Sequence, residues 1–291
     1  MRIYNDIVRD YIEGNSLEHH KKLWFFQSQR YKFVEPSYEH EHIDSVKRIY
    51  ENIMNTIENF VPCNSEIWDA LFPNWEKIIE EVTVNLIVGF PEPNDATVLK
   101  APDGTNNVIL DLGLWTKYES KCNIASVVHN LLTHELCHIC IGESIKGIDN
   151  DIESNDYLTN LDANTFHEGF AHLISFDNKE IDEVDWDNEK WKIVKDKSRI
   201  KMQSAICAID SIKQKEYLYD AVFGNYEDKY ACMSGMFYLV NCWKRIGILG
   251  LQEEFNKGYH GFSKRTIADP NGNEIGLIQQ NNEDKVYQGI L

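Results

Sequence analysis

Between residues 124 and 139, apolar side chains recur at three- and four-residue steps: Ile124, Val128, Leu131, Leu132, Leu136 and Ile139. That spacing lays one apolar stripe along a helix, predicted over about 122–141. Ser120 or Asn123 is placed to cap its start, and Gly142 stands where such a helix stops. A second helix is predicted over about 161–176 from Leu161, Phe166, Phe170, Leu173 and Ile174, with Gly169 its weak point. Upstream, residues 1–80 read mainly as helix. The clearest piece runs from about His40 to Phe60, where Ile43, Val46, Ile49, Ile53 and Ile57 keep a helical period. The period changes to two at Val82, Val84, Leu86 and Val88. With Thr97–Ala101 and Asn107–Leu112 this predicts a small sheet over 82–112, its turns set by Pro91, Pro93, Pro102 and Gly104. Residues 143–160 are polar and acidic and read as a long loop. Residues 179–197 suggest a surface helix anchored by Trp186 and Trp191, and residues 229–249 a further helix. From Gly258 onward the chain reads as loop. The predicted class is α+β and mostly helical, with an N-terminal helical part, 1–80, packed on a core, 81–291, whose C-terminal lobe is helical.

The first helix carries His134-Glu135-Leu136-Cys137-His138. Positions i and i+4 on a helix differ by about 40° in direction, so His134 and His138 point the same way and suit one metal ion. Glu135 lies about 100° round the axis from His134, off the metal and facing a metal-bound water. Catalytic zinc takes three protein ligands and keeps one position open, so a third donor is needed. The second helix offers His167, Glu168 and His172. Glu168 and His172 share a face, whereas His167 and His172 diverge by about 140°. Glu168 or His172 is therefore favoured over His167. Gly169, without a side chain, lets the two helices approach closely enough for a short carboxylate to bridge them. Other histidines read as ordinary: His40-Glu41-His42 as a solvated helix start, and His19-His20 as surface.

These motifs resemble the gluzincins, zinc peptidases with H-E-x-x-H on one helix and a glutamate ligand on the next. Glu168-Gly169-Phe170-Ala171 is similar to their E-G-[FL]-A segment, and the order of elements over about residues 80–255 resembles bacterial YjaZ-type Zn-dependent proteases. The resemblance implies a gluzincin (zincin-like) core with a small sheet beside the metal helix. It implies one zinc per chain on His134, His138 and Glu168, with Glu135 as general base for a metal-activated water. It implies an oxyanion donor C-terminal to the third ligand, for which Tyr230, Tyr238 and, after them, His260 are candidates. One position departs from the pattern. Four residues after the ligand glutamate the clan carries an acidic residue that orients a metal-bound histidine, and here it is His172. Asp162 and Asp177 are the candidate substitutes. The clan's substrate-amine segment is not evident, which favours an endopeptidase or oligopeptidase. The rival readings are a non-catalytic metal-binding protein on a peptidase scaffold and a helical di-iron carboxylate protein, the latter needing a second E-x-x-H that Glu168-to-His172 misses by one residue.

Composition narrows the partners. The 291 residues carry 47 acidic against 29 basic side chains, a net charge of −18, which argues against nucleic acid and anionic membranes and is compatible with the peptide or protein substrate that the resemblance implies. The first fifteen residues contain charges throughout and lack a signal-peptide core. Seven cysteines, an odd number without framework spacing, suggest reduced thiols in the cytoplasm. Cys137 and Cys140 read as small packing residues rather than a redox pair.

Overall fold

A computed structural model describes residues 1–28 and 30–268. It is mostly helical, with one small sheet. The chain runs β1 (Arg2–Tyr4), α1 (Asp6–Glu13), α2 (His40–Glu58), α3 (Ser65–Leu71), α4 (Trp75–Glu80), β2 (Thr83–Ile87), β3 (Ala96–Lys100) and β4 (Asn106–Asp111). It continues through α5 (Leu112–Trp115), α6 (Ile124–Ser144), α7 (Ile148–Asp151), α8 (Tyr157–Ser175), α9 (Glu189–Ile206) and α10 (Ser211–Val222). Then come α11 (Tyr230–Ile246), α12 (Ile248–Lys257) and α13 (Phe262–Ile267).

The sheet has the order β1-β2-β4-β3. β1 and β4 flank β2 in parallel, and β3 runs antiparallel to β4 at the edge. The alternation seen in the sequence locates β2, β3 and β4. It misses β1, because three residues are too few to show a period, and Arg2, Ile3 and Tyr4 pair with Thr83, Val84 and Asn85. One face of the sheet meets α6, which also packs on α2 and α8. α6 is the one helix, among the described residues, long and apolar enough to cross a bilayer, and half of that apolar window is buried inside the fold.

Helix limits differ from the sequence reading in two places that matter. α6 passes through Gly142 to Ser144, and a Cβ at Gly142 would lie 2.6 Å from the Asp149 carboxylate, so this glycine admits α7 against the helix rather than ending it. α8 starts at Tyr157, capped by Asp156 accepting from the Thr159 N–H, so the expected loop 143–160 holds one short helix and the first turn of another. Trp186 lies ahead of α9 and is buried against Phe176, its Nε1–H donating to the Ile181 carbonyl. After Gly258 the expected loop contains α13, and the part of that expectation beyond Ala268 lies outside the described residues.

α8 and α11 form the tightest helix pair. They cross at Gly169 and Gly235, where a Cβ on Gly169 would lie 2.9 Å from the Gly235 backbone and one on Gly235 would collide with the Thr165 carbonyl oxygen. Gly235→Ala must push the helices apart. We expect it to destabilise the fold by about 1–3 kcal/mol, as overpacked cores do. Denaturant melts of wild type and variant check this; equal midpoints would mean the crossing is loose.

Candidate metal centre

α6 and α8 lie side by side with their functional positions in register. Asn123 starts α6 by accepting from the Ser126 N–H. Beyond the C-terminus of α8, Asn178 accepts from the His129 imidazole at 2.6 Å, and Asn64 donates to the Ile174 carbonyl at 2.9 Å. The first bond ties α6 to the end of α8, and the second ties the start of α3 to the same end.

The fold brings His134, His138 and Glu168 together. The two Nε2 atoms face each other at 3.0 Å, with ring planes at 89°. Glu168 Oε2 lies 3.7 Å from His134 Nε2, and Oε1 lies 3.6 Å from His138 Nε2. Donors bound to one tetrahedral zinc at about 2.0–2.2 Å are separated by about 3.3–3.6 Å; the separations here bracket that range, with each carboxylate oxygen facing a different imidazole. Its chemistry also fits. Burial pushes the His134 imidazole down to about 3, with the His172 ring adding to the effect, and holds His138 well below its usual range. Two neutral imidazoles then aim lone pairs at one point, an arrangement that calls for a cation. Burial would raise the Glu168 carboxyl, but His138, the His172 hydrogen bond and His134 hold it well below the usual carboxylate range.

The surroundings of His134 leave one of its ring nitrogens open. Ser175 Oγ donates to the Ala171 carbonyl at 2.8 Å, so it accepts from His134 Nδ1–H at 3.4 Å and leaves Nε2 free for metal. His138 Nδ1 is buried without a partner among the described residues, and its ring stacks on His167 at 4.4 Å. His167 faces His138 from the side and is not brought among the converging donor atoms. Neither carboxylate proposed to support the ligands is near them: Asp162 accepts from the Gly261 and Ser263 N–H groups, and Asp177 pairs with Lys179.

His172 joins the cluster. One of its ring nitrogens lies within 4.8 Å of donor atoms on His134 and Glu168. Its Nδ1 faces the Glu168 backbone carbonyl at 3.0 Å and Glu168 Oε2 at 3.2 Å. Both neighbours are acceptors, so Nδ1 carries the proton. Glu135 sits on α6 beside the donors. Burial, then Glu168 and Asp95, raise its carboxyl to about 8, and Lys229 partly opposes them.

The two tyrosines expected at the oxyanion are directed elsewhere. On α11 it is Cys232 that faces the cluster, with Sγ 3.7 Å from Glu168 Oε2. Tyr230 is two positions earlier, about 200° round the axis, and its hydroxyl donates to the Tyr217 carbonyl at 3.0 Å. Tyr238 packs edge-on against Phe262. The His260 ring lies tilted against that of Tyr259. The aromatic that does approach is Tyr226, in the turn before α11, with its ring centroid 5.3 Å from that of His172. No motif marks it in the sequence; its position ahead of α11 is the only signal.

Residues 4–240 match the family described as "Putative zinc dependent peptidase (DUF5700)". The chain belongs to that family. The matched span contains all the donors above and Glu135, Tyr226 and Lys229. No protein of curated function and no solved structure matches the chain. The zinc named for the family is an ion that the imidazole and carboxylate donors between α6 and α8 suit.

Proposed function

We propose that this family member is a gluzincin-type zinc peptidase, in which His134, His138 and Glu168 hold the ion and Glu135 is the general base. The observation that carries this reading is the convergence of two Nε2 atoms and one carboxylate from neighbouring helices to within 3.0–3.7 Å, with Glu135 beside them. When bound, zinc in such a site activates water near neutral pH and polarises a peptide carbonyl.

The chain's own groups do the rest. Glu135 takes a proton from the attacking water and delivers it to the leaving amine. His172, protonated on Nδ1, holds Glu168 in place through its backbone and its carboxylate, so it supports the third ligand rather than replacing it. Tyr226 and Lys229, from the segment that leads into α11, are the groups nearest to supply a donor to the oxyanion, in place of Tyr230 and Tyr238. β3 pairs only with β4 among the described strands, so its other edge is free to bind an extended peptide. α6, which carries Glu135, packs against β3 and β4, so that edge strand lies alongside the helix of the site. This arrangement favours internal cleavage of a peptide or protein. Seven free thiols fit a reducing compartment.

Metal content is the first test. Glu168→Ala should lose one zinc equivalent relative to wild type, and His172→Ala should keep it with about 10–100-fold weaker affinity, the usual effect of removing a support for a ligand. Zinc retained without Glu168 but lost without His172 would reverse the two assignments. Glu135→Gln should keep its metal and lose about 10²–10⁴-fold in kcat on a quenched peptide library; undiminished turnover would remove Glu135 from the chemistry. Tyr226→Phe should lower kcat by about 10–10³-fold with KM little changed. If Tyr230→Phe does so instead, the oxyanion donor is not in the turn.

A further inference from the structure

A second group of metal-ligating side chains lies outside this centre, where α1 meets the chain that follows it. Asp10 is on α1, and His19 and His20 open a short 3-10 turn nine and ten residues later. His20 is not a surface residue: it is 4% exposed. Its Nε2 lies 2.7 Å from Asp10 Oδ2. His19 is largely exposed, yet its ring lies against that of His20 at 3.8 Å and turns its own Nε2 to the same oxygen at 3.4 Å. One hydrogen bond to Asp10 satisfies one imidazole. It does not account for an exposed second imidazole aimed at the same atom.

The three donor atoms lie within 4.8 Å of one another. A further carboxylate shares a hydrogen-bond donor with Asp10. Asn15 Nδ2 donates to Asp10 Oδ1 at 3.0 Å and to Glu13 Oε2 at 3.2 Å, which holds the two carboxylates next to each other. The recess they share has a volume of about 360 Å³ and is also lined by Asp6 and Arg9. Three carboxylates against one guanidinium make it attractive to a cation. Two imidazoles with carboxylate oxygens suit zinc rather than calcium or magnesium, which take oxygen ligands.

We propose that Asp10, His19 and His20, with Glu13 as fourth donor, form a second zinc site that clamps α1 to the turn at residues 19–22. Because α1 follows β1 directly and packs on α2 and β2, the clamp secures the first strand of the sheet. The site is remote in sequence from His134, Glu135 and Glu168, and it does not rest on the peptidase reading.

The test uses the full chain, stripped with a chelator, reloaded with zinc chloride, passed through gel filtration and assayed for metal by mass spectrometry. Wild type should retain two zinc per chain. Asp10→Asn, which keeps the side chain's shape, and His19→Ala, which removes an exposed ring, should each retain one with peptide hydrolysis unchanged. Glu168→Ala should lose the other, and the Asp10→Asn, Glu168→Ala double variant should retain none. Zinc should raise the melting temperature of Glu168→Ala but not that of the double variant. Equal zinc content in wild type, Asp10→Asn and His19→Ala would overturn the proposal. A single zinc lost in Asp10→Asn and kept in Glu168→Ala would uphold it and remove the metal from the peptidase centre, so the two readings fail separately.

Discussion

Two helices meet at Gly169 and Gly235 with no side chain between their backbones, and Glu168 is the immediate neighbour of that contact. The crossing sets how deep α8 sits against α11, and so how far Glu168 stands from α6. Cys232, one turn before Gly235, is thereby brought against the same carboxylate. A helix pair held apart by even one methyl group on each side would shift a carboxylate whose tolerance is a few tenths of an ångström. The backbone approach is therefore a constraint on where Glu168 stands, and the His129–Asn178 hydrogen bond ties the end of α8 to α6.

The cluster also shows how a buried, highly charged neighbourhood can be stable. Burial discourages protonated imidazole, and neutral imidazole is the form that binds metal. The same burial makes two carboxylates in one place costly. Glu168 is accommodated by the His172 N–H, and Glu135 by retaining its proton to higher pH. A cation held by these groups would couple its binding to folding.

Much of this was legible in the sequence, for particular reasons. The apolar stripe from Ile124 to Ile139 located α6, and the residue types at 134, 135 and 138 located the candidate chemistry within it. Gly169 was expected to admit α8 against α6, whereas its close contact is with Gly235 of α11, because nothing local tells which neighbour a glycine packs against. The proposed preference for Glu168 over His172 rests on a ring nitrogen that faces a carbonyl four residues back, a bond that leaves no pattern in the residue order. Tyr226 was missed because it lies in a short turn, whereas the search favoured tyrosines on the following helix. His20 was misread because adjacent polar residues look solvated until the chain folds α1 over them.

The parallel pairing of β1 with β2 has a kinetic side. β2, β3 and β4 find their partners within about thirty residues, whereas Arg2 and Thr83 are about eighty residues apart, a separation that slows contact formation. The three later strands can associate while the helices between β1 and β2 are still condensing. The first residues of the chain then complete the sheet last, and the edge of β2 waits uncovered until α1 and α2 have carried them back to it.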